Sequence, residues 1–148
     1  METLRLIARI GDQRVAIPAD QVESVVEIDA ITPVPLAAPH IAGLAALRSR
    51  VLTIIDSYAA LEIGRSPREG LLQAIVVTID HHLYGLLVDE VVDVASIPGE
   101  PEPVHAGLSR GWAHAACGLV EHDGHALLQL DPARIVAGPA VGPAVLAA

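Results

Sequence analysis

Seven histidines, one cysteine and several close-set carboxylates are the residues of this 148-residue chain whose types could do chemistry. Their spacing decides which chemistry is open to them. His122 and His125 flank Asp123-Gly124, with Glu121 beside them, so a two-residue turn would bring both imidazoles to one hairpin tip. That is half of a zinc site. No third and fourth ligand follows at a zinc-like spacing, and Cys117 stands alone. Solvated hairpin-tip histidines account for the pattern, and no metal is expected. His81-His82 falls at a second turn, where adjacent strand residues point to opposite faces and do not share a site. Asp89, Glu90 and Asp93 could supply an acid and a base only inside a pocket that perturbs their pKa values. The sequence names no such pocket, and a solvated strand end is the expected setting. No serine sits in a nucleophile elbow and no glycine loop is built to cradle phosphate. Cys117 reads as a small buried hydrophobe, and Trp112, the sole Trp, as a residue that caps a core. No catalytic residue and no cofactor is expected.

Arg48 is different. It stands among Leu44, Leu47, Val51 and Leu52, with few charges close by. One reading has its guanidinium snorkelling off a core edge. The other makes it an anchor that pairs a carboxylate and borders an interaction surface.

The elements that must position these residues are set by composition. Hydrophobic residues make up 52% and charged residues 18%, which suits one packed domain and excludes a disordered chain. The net charge is −9 and every basic residue is Arg, so binding to DNA or RNA through phosphate neutralisation is not expected. No apolar run approaches the about 18 residues of a membrane span, and METLRLIARI lacks the marks of a signal peptide. No direct membrane insertion and a cytoplasmic location are expected. With no Phe, the core must be built from Leu, Ile, Val and Ala.

Thr3 to Ile10 alternates, with Leu4, Leu6, Ala8 and Ile10 on one side and Arg5 and Arg9 on the other, as in a half-buried strand. Gly11-Asp12 turns it into Arg14 to Ile17, which Pro18 ends. After a short turn, Val22 to Ile28 is a third strand. Pro33, Pro35 and Pro39 keep the next stretch out of helix and central sheet. Ala42 to Ala46 reads as a tight or short helical turn, and Arg50 to Ile55 as a strand. Asp56 or Ser57 caps a short helix to about Leu61, which Gly64 ends. Leu71 to Ile79 and Leu83 to Val88 form a hairpin around Asp80-His81-His82. Val91 to Ile97 continues as strand, and a Pro-rich loop follows. Ala115 to Val120 and Ala126 to Leu130 form a last hairpin around Asp123-Gly124, and a short helix runs from Asp131 or Pro132 to about Ala137. Such short strands argue for an all-β barrel or sandwich. No repeat of fixed period is evident.

The landmarks AIPADQV, ITPVP, IAGLAALR, VLTIID, LYGLLVDEV and LLQLD, in this order, resemble those of CheW-like domains, adaptor modules of bacterial chemosensory arrays. The resemblance runs from about Leu4 to Val136. It implies two small SH3-like five-stranded β-barrels packed together with few short helices, in a domain over 1–137; the small residues and Gly-Pro breaks of the remainder read as a flexible tail over 138–148. The resemblance implies a non-catalytic adaptor that binds the regulatory domain of a CheA-type histidine kinase and the cytoplasmic tip of a chemoreceptor. Carried over residue by residue, the partner-binding positions are Val22, Ser24, Gly43, Arg48, Ser49, Leu87 and Val88. Val22, Gly43, Leu87 and Val88 are expected near a groove between the barrels that takes an amphipathic helix, and a bulky residue at Gly43 is expected to weaken binding while the fold survives. Ala46-Leu47-Arg48-Ser49 stands where the family reads Asn-Leu-Arg-Gly, and Ser24 where it has a Glu that pairs with the Arg. Glu23 or Glu27 is then the expected carboxylate for Arg48. The alternatives are a CheW-like regulator that sequesters a partner, and a small-ligand-binding or enzymatic β-barrel.

Overall fold

Three turns set the first level of structure. Asp80-His81 and Asp123-Gly124 both take left-handed backbone, as type I′ turns require, and Gly11 alone does so at the first hairpin. The structure, a computed structural model, describes residues 2–104 and 107–139. Its strands are β1 (Glu2–Ile10), β2 (Gln13–Pro18), β3 (Ser24–Ile28), β4 (Ile41–Leu47), β5 (Arg50–Ile55), β6 (Leu72–Ile79), β7 (His82–Val88), β8 (Glu90–Pro98), β9 (Ala116–His122) and β10 (His125–Leu130). Three short helices, α1 (Ser57–Ala60), α2 (Arg110–Ala115) and α3 (Pro132–Ala137), punctuate them.

The strands form two five-stranded sheets, ordered β8-β1-β2-β10-β9 and β3-β6-β7-β5-β4. The chain starts the first sheet with one hairpin, leaves to build the whole of the second, and returns through Asp89 to finish the first. The two sheets follow one plan. Each has a central hairpin (β1-β2, β6-β7) whose second strand runs parallel to the strand beside it (β10, β5). In each, the segment after one edge strand bridges to the opposite edge: Thr32 pairs with Leu44, and Glu102 with Leu119, by two backbone hydrogen bonds apiece. These bridges curl each sheet towards a barrel. Gly43 and Gly118 sit beside them with left-handed φ of 148° and 152°, and a Cβ on either would overlap the bridging carbonyl. Asp56 and Asp131 then cap α1 and α3 at the same points of the two plans, each accepting from a backbone N–H. The chain is therefore a duplication with reciprocal strand exchange, where the sequence shows no repeat.

Three apolar clusters follow from this plan. Ile7, Ala16, Ala95, Ile97, Val120 and Leu127 fill the first sheet's concave face. Ala42, Ala45, Leu52, Ile54, Ala74 and Leu87 fill the second's. The largest joins the sheets, with Leu6, Ile10, Val15 and Leu128 meeting Ile55, Ile75, Val77 and Leu86, and Leu61 and Ile135 sealing it.

Four expectations are corrected. β1 is buried on both faces: Arg5 is 3% exposed and donates to Gln129 Oε1 at 2.6 Å and to the carbonyls of Ile97 and Gly99, while Leu4 is exposed. Ala42 to Ala46 is strand, paired with β5 and bridged by Thr32, with Ala42 and Ala45 buried on either side of a bulge at Gly43. α1 ends at Ala60 with Leu61 as its cap, close to the expected end, but the left-handed residue that follows it is Glu62, with a φ of 58°, and not Gly64. α2, which carries Trp112 onto the inter-sheet core, falls where no helix is expected. The tail expected over 138–148 lies outside the described residues beyond Pro139.

Gly43→Ala should lose more than about 2 kcal/mol in urea unfolding, because backbone must move to admit the Cβ. Gly124→Ala, whose Cβ meets open space, should lose only the left-handed strain of about 1 kcal/mol.

Candidate partner-binding surfaces

A groove of about 550 Å³ opens at the first crossover between the sheets, where a 3-10 turn (Ala19–Gln21) leads into β3. Its walls are Gln21 to Glu23, Val77 to Ile79 on β6, and Pro132-Ala133 at the start of α3. Val22 packs down onto the inter-sheet core, so the floor is apolar. The rim is polar and fixed. Glu23 accepts from Arg50 at 2.5 Å and from Thr78 Oγ1 at 2.8 Å, and its backbone N–H donates to Val76. The Arg50 hydrogen bond, with that of Thr78, holds the Glu23 carboxyl below its usual pKa.

The second crossover is braced differently. Asp89 accepts from the Tyr58 hydroxyl at 2.7 Å and from the backbone N–H of Gly11 at 2.6 Å. Burial and this bond to Asp89 push the Tyr58 hydroxyl up. Asp89 is thus a strap between the sheets and not the solvated carboxylate expected; Glu90 and Asp93 are exposed. A cavity of about 170 Å³ lies here, lined in part by Tyr58, Leu72, Leu87 and Val88.

A clasp closes the connection between β5 and β6. Asp56, 1% exposed, accepts from the backbone N–H and hydroxyl of Ser66 and from Arg68 at 2.8 Å, as well as capping α1 at Ala59. Burial pushes its carboxyl up, but these hydrogen bonds outweigh that and leave it below the usual carboxylate range.

Arg48 and Ser49 form the tip of the β4-β5 hairpin, closed by Leu47 opposite Arg50. Arg48 is exposed with a φ of 57°, a strained conformation for a residue with a Cβ. Among the described residues its side chain meets no carboxylate. Glu23, one of the two expected partners, takes Arg50 instead. Beside the tip, Leu44, Ala46 and Val51 leave an apolar face exposed, with Val51 62% accessible.

The Glu23–Arg50 pair brings Val22 and Ser24 to the hairpin that carries Arg48 and Ser49. Leu87 and Val88 lie elsewhere. β5 runs parallel to β7 with Thr53 beside Tyr84, so the hairpin tip is at the His82 end of β7 and Val88 at the other. Leu87 and Val88 are 3% and 7% exposed. Gly43 is buried against the Thr32 bridge, so the expectation that a bulky residue is tolerated there does not fit its surroundings. His122 and His125 are directly opposed, and no described group of three ligands could hold a metal. Cys117 is exposed, not buried. The missed residues are Arg50, Thr78, Ser66 and Arg68. The Arg-Ser-Arg run at the hairpin was the one local sign that either arginine could serve.

A family model, the CheW-like domain, matches residues 5–139. The chain belongs to the CheW-like domain family. A chemotaxis protein CheW of Thermotoga maritima is 30% identical over 128 residues, 86% of this chain and 83% of its own. Another from Treponema pallidum is 23% identical, over 83% of this chain and 75% of its own. The crystal structure of the scaffolding protein TtCheW from Thermoanaerobacter tengcongensis superposes with a TM-score of 0.76 at 22% identity, covering 88% of this chain and 90% of that one, and so shares the fold. Within this CheW-like domain, no helix among the described residues is long and apolar enough to cross a membrane.

The depressed Asp56 pKa sets a sign for acid stability. Its contribution is fully present above the unfolded value of about 3.9 and is lost as pH falls through the lower folded value. Asp56→Asn should therefore cost about 2 kcal/mol at pH 7, with the gap to wild type closing below about pH 4, as read from urea unfolding across pH.

Proposed function

We propose that this chain is a non-catalytic cytoplasmic adaptor of chemosensory signalling, coupling a chemoreceptor's cytoplasmic tip to the regulatory domain of a CheA-type histidine kinase. The observation that carries this is the groove at the first crossover in a chain of the CheW-like family. An apolar floor with polar walls suits a helix laid lengthwise, with its apolar stripe against the half-buried Val22 and Ile79. The receptor's helical tip is assigned here. The Arg48 tip with Leu44, Ala46 and Val51 offers a second surface, joined to the groove's rim through the Glu23–Arg50 pair, and the kinase's regulatory domain is assigned to it, since an exposed strained Arg beside an apolar face is a fit anchor for an interface. Leu87 and Val88 enter this assignment only through the small cavity at the second crossover.

The perturbed Asp56, Tyr58 and Glu23 are each held by structural partners, which supports a binding role over catalysis. The test is co-sedimentation. Receptor-bearing vesicles should pull down the kinase only when this protein is added. Sequestration predicts the reverse, a kinase released from vesicles as the protein is titrated in.

Arg48→Gly separates the interface role from a structural one. Glycine relieves the left-handed strain, so the melting temperature should hold or rise. Kinase binding should weaken by about 2 kcal/mol, roughly thirtyfold, in calorimetry. Unchanged binding would remove Arg48 from the interface.

A further inference from the structure

The duplication divides the chain at the loop 62–71, and the two halves are interlocked. Four strand pairings lie within halves: β1-β2, β4-β5, β6-β7 and β9-β10. Four cross between them: β1-β8, β2-β10, β3-β6 and β5-β7. Without the other, the first half would be two isolated hairpins and an unpaired β3, and the second half likewise with an unpaired β8. Two-stranded hairpins are marginal alone in water. Each half is thus completed by a surface that the other supplies, and the inter-sheet core draws on both. Covalently, only the loop 62–71 joins them. It carries Gly64 and Gly70 in left-handed conformations and is held closed by Ser66 and Arg68 on Asp56.

We infer that the surface between the halves is a binding site for a second copy of this chain: two molecules exchange halves across 62–71 to give a dimer of two complete two-sheet lobes, and the Asp56 clasp biases each chain to pair with itself. Exchange creates no new strand pairing; it moves existing ones between chains, which makes it a low-cost route to a dimer once the hinge is free. The groove at the first crossover uses residues 20–23 from one half and 77–79 and 132–133 from the other, so each lobe of the dimer keeps a whole groove. The dimer is a bivalent form of the same binder, with avidity set by the distance between lobes. The inference rests on topology and holds whatever partner the groove takes.

The test uses the full chain. Ser66→Ala with Arg68→Ala removes the clasp's two side-chain bonds, leaving the Ser66 backbone N–H on Asp56 and the Asp56 cap of α1 in place. Unfolded and refolded at high concentration, this variant should give a light-scattering mass twice that of the monomer at a dimer fraction at least several-fold above wild type, with unchanged circular dichroism. A variant that refolds to the wild-type monomer fraction overturns the role of the clasp. In a second arm, a protease site replaces Glu69-Gly70, both exposed, and the folded chain is cut there. The two pieces should co-elute at the intact mass and part only in denaturant. Pieces that separate in native buffer overturn the inference altogether.

Discussion

Neither sheet of this protein is made by one half of the chain alone, and that reciprocal exchange is the constraint on which the rest depends. Each half donates a hairpin to the sheet the other half finishes. The parallel contacts β2-β10 and β5-β7 exist only because of it. So do the two crossovers, one lined by Val22 and Glu23, the other strapped by Asp89. The exchange forces the sheets face to face, and the apolar layer between them becomes the largest cluster in the molecule. The groove is where this layer runs out at an edge. The groove proposed to bind a partner is thus a by-product of how the fold closes.

Arginine does different work at different depths in a chain without lysine. Arg5 lies inside the first sheet with no carboxylate among its described partners; Gln129 and two carbonyls satisfy it instead. Removing those acceptors would leave a buried charge unpaired, which is costly. Arg68 is locked on a buried carboxylate, and Arg50 on an exposed one. An exposed pair such as Glu23–Arg50 adds little stability and serves to fix the groove's rim. Arg48 alone of these four is spent on nothing internal, and it stands at a strained tip.

Much of the fold was legible because turns and prolines punctuate it. The Gly11-Asp12 and Asp123-Gly124 turns, the prolines after β3 and the Asp56 and Asp131 caps all fall where residue chemistry places them. β4 was not legible, since an alanine-rich run carries no β-branched signal and is strand only because Thr32 and β5 pair with it. Arg5 misled, because a charged residue at an alternating position signals solvent unless acceptors from distant strands converge on it. The duplication was hidden as well. Its halves share a plan held by a few residues, such as Gly43 with Gly118 and Asp56 with Asp131, and not a periodic sequence. Of the site, Val22 was placed on a groove by family likeness. Glu23's pairing with Arg50 and not Arg48 is made across strands distant in sequence, which no spacing rule gives.

The central claim is that the groove at the first crossover receives the helical tip of a receptor. Hydrogen–deuterium exchange of the full chain, with and without a receptor-derived helical hairpin, tests it most directly. The account predicts slowed exchange at residues 20–23 and 77–79, with the β8-β9 side of the first sheet unchanged. Protection confined to that side, or none at the groove under saturating hairpin, would contradict it.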